Sequence, residues 1–275
     1  MPLASDLAAF RAARPLRRLE HAGTAWRYLR SGIGSVPLLL LGGALGEADF
    51  GFRTIALLER DFTVVAADYP PVRSLGDAVD GIAAILAAEA IARVHVVGGS
   101  FGGVVAQAFA ARRPEAVASL TLSHTGPPHR RRLAKPAAAA LSILPGAWLR
   151  ALFRRRVRKA VAPAGAEWLA LFDESVGRLG KAEILSRVRV AAEFRAGRRY
   201  GRQLSGFPVM ILSASDDPLI GRSAADELAR LYPGAERHEF TGTGHLAAVL
   251  RPEAFAGQVR EFILRGAAER QGSER

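Results

Sequence analysis

The 275-residue sequence contains no cysteine. Disulfides, thiolate metal sites and thiol nucleophiles are thereby excluded, and the composition fits a cytoplasmic protein. Long apolar runs are missing as well, since none approaches the roughly 18–20 residues that span a bilayer. The first twenty residues carry Asp6, Glu20 and several arginines among scattered leucine and alanine. They lack the apolar block and small-residue cleavage site of a secretory signal. No internal repeat and no recognisable nucleic-acid-binding module is visible, so nucleic acid is not an expected partner.

Apolar residues make up 49% of the chain, enough for a large core, and α/β enzymes of this length often fold as one unit. The formal net charge is +12. Between Gly126 and Ser205 there are 18 basic and 5 acidic residues, whereas the rest of the chain holds 20 and 21. The basicity therefore belongs to one segment, and any reading of it as a binding surface concerns that segment.

Residues Arg17–Glu20 and Ala25–Leu29 read as two short strands. Val36–Leu41 and Phe62–Ala67 are continuous apolar runs, the pattern of strands buried on both faces. Val94–Val97, Val117–Ser123, Val209–Ser213 and Arg237–Phe240 complete the set. Helical spacing marks Asp49–Arg60, Leu75–Ile91, Val104–Arg112, Ser223–Leu231 with Ser223 as N-cap, and Pro252–Leu264, after which a polar tail is expected to fray. This alternation predicts an α/β fold, a mostly parallel sheet covered by helices on both faces. Residues 126–206 break it. They form an Arg-rich, helical stretch punctuated by Pro136, Pro145 and Pro163, inserted after the sixth strand into a core made of residues 1–125 and 207–275. An open α/β sheet carries its site at the carboxyl ends of its strands, so an insertion leaving that end is expected to be a cap or lid.

Gly98-Gly99-Ser100-Phe101-Gly102 has the G-x-S-x-G pattern, placed between an apolar strand and a helix. That is the setting of a nucleophile elbow. Side chains at Gly98 and Gly102 would collide with the adjacent elements of so tight a turn. The bland alternative is a glycine-rich turn with no chemistry. A serine hydroxyl needs an adjacent base, and His245, in Thr241-Gly242-Thr243-Gly244-His245 at the end of a strand, is the candidate. His95 reads as structural, His124 as a pocket-lining residue without a base role, and His21, His129 and His238 as surface residues. Asp216 and Asp217 compete to orient the histidine; Asp217, which opens Asp-Pro-Leu-Ile, is preferred, and the other is expected to bond nearby N–H groups. Asp68 is the poorer candidate because it precedes the serine. The oxyanion donors are expected to be the backbone N–H of Phe101 and that of Ala44, in the loop Gly42-Gly43-Ala44-Leu45-Gly46.

On these residues the span from Trp26 to Phe255 resembles the α/β-hydrolase superfamily. Within it the sequence looks most like maspardin and its bacterial relatives, through Gly46–Phe50 with Phe52-Arg53, Ala67–Pro70 and Leu231-Tyr232-Pro233, with weaker support from Gly180–Val190. The superfamily resemblance implies a serine hydrolase with Ser100, Asp217 and His245 as its triad, and no metal or organic cofactor. It departs from the usual pattern in replacing the His-Gly of the oxyanion loop by Gly42-Gly43. The expected activity is cleavage of a carboxylic ester, thioester or lactone, of carboxylesterase type, on a small acyl substrate. The maspardin resemblance implies a second reading, a non-catalytic binding or adaptor protein on a hydrolase scaffold. A third concerns the basic segment. Trp148, Leu149, Leu152, Phe153, Val157 and Val161 recur at helical spacing with Arg150, Arg154, Arg155, Arg158 and Lys159 between them. Such a helix suits an anionic membrane surface or an anionic substrate, or an ordinary cap packed on the core.

Overall fold

A computed structural model describes residues 3–128, 134–197 and 206–273, with side chains to residue 266. Its centre is an eight-stranded sheet in the order β1-β2-β4-β3-β5-β6-β7-β8. The strands are β1 Arg17–His21, β2 Thr24–Ser31, β3 Val36–Leu41, β4 Phe62–Ala67, β5 Val94–Gly99, β6 Val117–Ser123, β7 Val209–Ala214 and β8 Glu236–Phe240. β2 runs antiparallel to β1 and β4, and every other pairing is parallel. The apolar runs occupy the middle of this order. Leu38, Leu39, Val64, Val65, Val96 and Leu120 are all wholly buried, each burial contributing roughly 1.5–3 kcal/mol before entropy is counted.

Helices cover both faces. α1 (Leu3–Ala13), α2 (Phe52–Leu58) and α11 (Pro252–Ser273) pack on one side, in a cluster with Phe10, Phe52, Ile55 and Phe255. α3 (Leu75–Ala88), α4 (Phe101–Arg112) and α9 (Arg222–Leu231) pack on the other, around Ile82, Phe109 and Leu228. The short α10 is Ala247–Leu250. Between β6 and β7 stand α5 (Ala134–Ser142), α6 (Gly146–Val161), α7 (Ala166–Arg178) and α8 (Lys181–Ala196). Leu149, Val161, Trp168 and Phe172 of this group join the first cluster, and Val190 and Phe194 join the second. Among the described residues no helix is long and apolar enough to cross a membrane.

α1 was not expected. Leu3, Leu7 and Phe10 fall on one face of it and are buried, and Arg11 holds it to Asp49 through Nε at 2.6 Å. The helix expected over Asp49–Arg60 is the shorter α2, because Asp49 is taken up by Arg11. Ser223 lies inside α9, whose N-cap is Gly221. The backbone of α11 continues past Gly266 to Ser273, since no proline interrupts it. His129 lies outside the described residues.

Candidate active site

β5 runs straight into α4 with one residue between them, and that residue, Ser100, has φ 52° and ψ −114°. A non-glycine residue there is strained by about 1–3 kcal/mol, and such strain persists only where the surroundings over-determine it. The neighbours do so here. A Cβ at Gly98 would lie 2.6 Å from that of Ala106 in α4, and one at Gly102 would lie 1.9 Å from the Leu41 carbonyl oxygen at the end of β3. The Ser100 N–H also donates to the Ser123 carbonyl of β6 at 2.9 Å. The hydroxyl is thereby lifted over the carboxyl edge of the sheet.

β7 and β8 deliver the other two side chains to the same edge. His245 Nε2 is 2.8 Å from Ser100 Oγ, and His245 Nδ1 is 2.8 Å from Asp217 Oδ2. An ionised carboxylate only accepts hydrogen bonds, so Nδ1 carries the proton and Nε2 is left to accept from the serine hydroxyl. Burial opposes the charge of Asp217, but the His245 hydrogen bond and the N–H groups of Ile220 and Leu219 outweigh it and lower its pKa. Asp216 turns the other way and accepts from the Gly244 N–H at 3.1 Å, bracing the histidine loop. The structure thus brings Ser100, His245 and Asp217 together and places Asp216 beside them. Asp68 does not join them; it accepts from the Ala48 N–H and pairs with Arg27.

His124 follows the last residue of β6 at φ 48°, with Nδ1 at 2.7 Å from Ser123 Oγ and its ring edge-on to that of His245, centroids 5.8 Å apart. Burial first, and then the neighbouring His245, push its pKa down to about 4. It is a neutral wall of the site. His95 is buried and bonded to Ser119 in the sheet.

The loop after β3 passes beside the elbow, its Gly42 oxygen 2.5 Å from where a Cβ on Gly102 would lie, and its carbonyls are held by hydrogen bonds. Tyr69 Oη donates to the Gly42 oxygen at 3.2 Å, and the Gly46 N–H to the Gly43 oxygen at 3.0 Å. Arg187 of α8 donates from Nε to the Ala44 oxygen at 2.6 Å, and from Nη2 to those of Leu45 and Tyr69 at 3.2 and 3.0 Å. The N–H of a trans peptide points opposite to its carbonyl. The N–H groups of Ala44 and Phe101 make no hydrogen bond among the described residues; Phe101 follows Ser100 in the chain, and Ala44 lines the same cavity as Ser100. Arg187 is buried, its pKa lowered to about 10 by that burial, and its partners are carbonyls. Sequence reasoning missed it. An arginine flanked by apolar Ile184 and Val190 on α8 was the available signal.

Ser100 and His245 open into a cavity of about 290 Å³. Its wall is largely apolar, with Phe50, Ile55, Val97 and Leu219 from the core side and Phe153, Val157 and Phe172 from α6 and α7. Glu47, near the loop, is tied to α7 by Arg178 at 2.8 Å and Ser175 at 3.2 Å. α6 and α7 therefore line the cavity, and α7 and α8 hold the loop.

A family model described as alpha/beta hydrolase fold matches residues 36–252. The chain is 25% identical to maspardin of Homo sapiens over 251 residues, which covers 88% of this chain and 81% of that protein. A hydrolase of Pseudomonas aeruginosa superposes with a TM-score of 0.77 at 21% identity, covering 90% of this chain and 98% of the other. A meta-cleavage product hydrolase from Pseudomonas fluorescens superposes at 0.72 with 23% identity, covering 90% and 97%. At these identities the structural likeness is one of fold.

Proposed function

The chain belongs to the α/β-hydrolase fold family, and from that premise we propose that it is a serine hydrolase of carboxylic esters, thioesters or lactones, working through an acyl-enzyme on Ser100. The observation that carries this reading is the unbroken hydrogen-bonded series Ser100–His245–Asp217, both links 2.8 Å, opening into an apolar cavity. A chain selected only to bind through this scaffold has no need of such a series.

In the proposed reaction His245 Nε2 takes the proton from Ser100 Oγ as that oxygen attacks the substrate carbonyl carbon. The carbonyl electron pair moves onto oxygen, where the N–H groups of Phe101 and Ala44 receive it. Collapse of the intermediate expels the alkoxide or thiolate, and His245 returns the proton to it. Water then adds to the acyl carbon with His245 again as base, and the acid leaves Ser100. Asp217 holds the ring in the required tautomer throughout and stabilises the imidazolium. Residues 126–206 act as a cap over this site. The cavity wall suits an apolar acyl chain, since each buried methylene contributes about 0.8 kcal/mol.

The test is hydrolysis of p-nitrophenyl esters graded by acyl length, with intact mass measured during turnover. The reading predicts a mass increase of one acyl group, mapped to Ser100. Turnover without such an adduct, or an adduct mapped elsewhere, contradicts it.

A further inference from the structure

Ile143, Trp148 and Leu152 are large apolar side chains left 83%, 66% and 54% exposed. All three lie within ten residues of the α5–α6 junction. α6 carries two apolar faces on opposite sides. The inner one supplies Phe153 and Val157 to the cavity wall. The outer one presents Trp148 and Leu152 one turn apart, and one and two turns further on the same stripe continues as Arg155 and Lys159.

The charges along α6 divide in the same way. Arg154 and Arg158 are engaged by Asp173 of α7, at 3.6 and 2.9 Å, and Arg150 donates to the Leu179 carbonyl. Arg155 and Lys159 make no ion pair among the described residues. Arg156 likewise makes none among the described residues and borders the cavity, while Arg155 and Lys159 lie beside the exposed tryptophan and leucine, so that apolar and cationic groups form one continuous surface.

We propose that this outer face of α6 is a docking surface for an anionic lipid bilayer. An amphipathic helix lying in the interface puts aromatic and aliphatic side chains below the headgroups and lysine or arginine among them. Tryptophan is the side chain best suited to that boundary. A second copy of this chain fits less well, because it would bring Arg155 and Lys159 against their own counterparts in a molecule of net charge +12. The surface is the back of the helix whose front lines the cavity, so docking sets the cavity beside a source of apolar acyl groups.

The test is flotation of the whole protein with vesicles of phosphatidylcholine alone or mixed with phosphatidylserine, at low and physiological salt. Tryptophan emission is read in parallel, since Trp26 and Trp168 are buried and Trp148 is exposed. Binding to the phosphatidylserine vesicles is expected to be at least roughly tenfold the stronger and to weaken with salt. It should come with a blue shift of the emission. Trp148→Ala with Leu152→Ala, and separately Arg155→Glu with Lys159→Glu, should each lower it about tenfold without changing the melting temperature. Equal binding to both vesicles, no binding, or variants that bind like the wild type would overturn the proposal. So would a concentration-dependent dimer that the Trp148 and Leu152 changes abolish.

Discussion

Arg187 Nε donates to the carbonyl oxygen of Ala44 at 2.6 Å, across 143 residues of chain. This one side chain, reaching from α8 into the loop after β3, holds the Ala44–Leu45 peptide; the Ala44 N–H belongs to the preceding peptide, whose Gly43 carbonyl accepts from the Gly46 N–H, so Arg187 acts on that donor through the set of the loop. Replacing it by methionine, similar in length and apolar, would leave the Ala44 and Leu45 carbonyls without their donor and loosen the loop that carries the Ala44 N–H. A loosened oxyanion donor costs about 10²-fold or more in kcat. Arg187→Met is therefore predicted to lower kcat roughly 10–100-fold with KM nearly unchanged. Arg187→Lys should recover only part, because an ammonium lacks the planar fork that serves several carbonyls. Steady-state kinetics of both variants checks this. A purely structural arginine would change the melting temperature and the amount of active enzyme, leaving kcat per active site intact.

The two adjacent aspartates separate on mutation. Asp217→Asn keeps the shape of the side chain but no longer dictates the Nδ1–H tautomer of His245, and kcat should fall about 10⁴-fold. Among the described residues Asp216 reaches the histidine loop through a hydrogen bond from the Gly244 N–H and makes none to Ser100 or His245, so Asp216→Asn should cost less than about tenfold. Reversed magnitudes would exchange their roles.

Ser100 is held at φ 52°, a conformation that glycine adopts without penalty. Ser100→Gly should therefore be more stable than Ser100→Ala by about 1 kcal/mol, or roughly 2–4 °C in melting temperature. Both variants lack the hydroxyl, so the comparison isolates the backbone. Equal melting temperatures would mean that the elbow stores no strain.

His124 supplies a pH dependence of stability. Its folded pKa of about 4 lies below the ordinary 6.5, because burial and His245 disfavour its charge. Between these values the unfolded chain binds a proton that the folded one refuses, so stability falls as pH drops from 6.5 toward 4. The full loss is about 3 kcal/mol. Asparagine tolerates the left-handed φ of 48° at this position and does not titrate. Urea unfolding of the wild type and of His124→Asn at about pH 7 and about pH 4 should show the variant losing the less by that amount. Equal losses would contradict the shift.

The parts of the site that were legible in the sequence are those set by local rules. β3, β4 and β5 show as unbroken apolar runs because both their faces are covered. The elbow shows because its glycines are imposed by contacts a few residues away and one strand over. Asp217 and His245 show because each ends a strand in a loop. Other features depend on distant partners. Arg187 is one of 18 basic residues in its segment, and only the packing of α8 against the loop makes it buried. α1 has apolar residues at Leu3, Leu7 and Phe10, but its purpose is set by Phe52, whose ring lies 5.9 Å from that of Phe10. α9 begins at Arg222 with Gly221 as its N-cap, and no side-chain hydrogen bond caps it, so the hydroxyl of Ser223 gave a false start signal.

The central claim is that Ser100 is an activated nucleophile. Labelling by a fluorophosphonate probe tests it most directly, with the wild type compared with Ser100→Ala and His245→Ala. The account predicts a labelled wild type, no label on Ser100→Ala, and labelling slowed by about 10³-fold or more on His245→Ala. A folded wild type that stays unlabelled would contradict it.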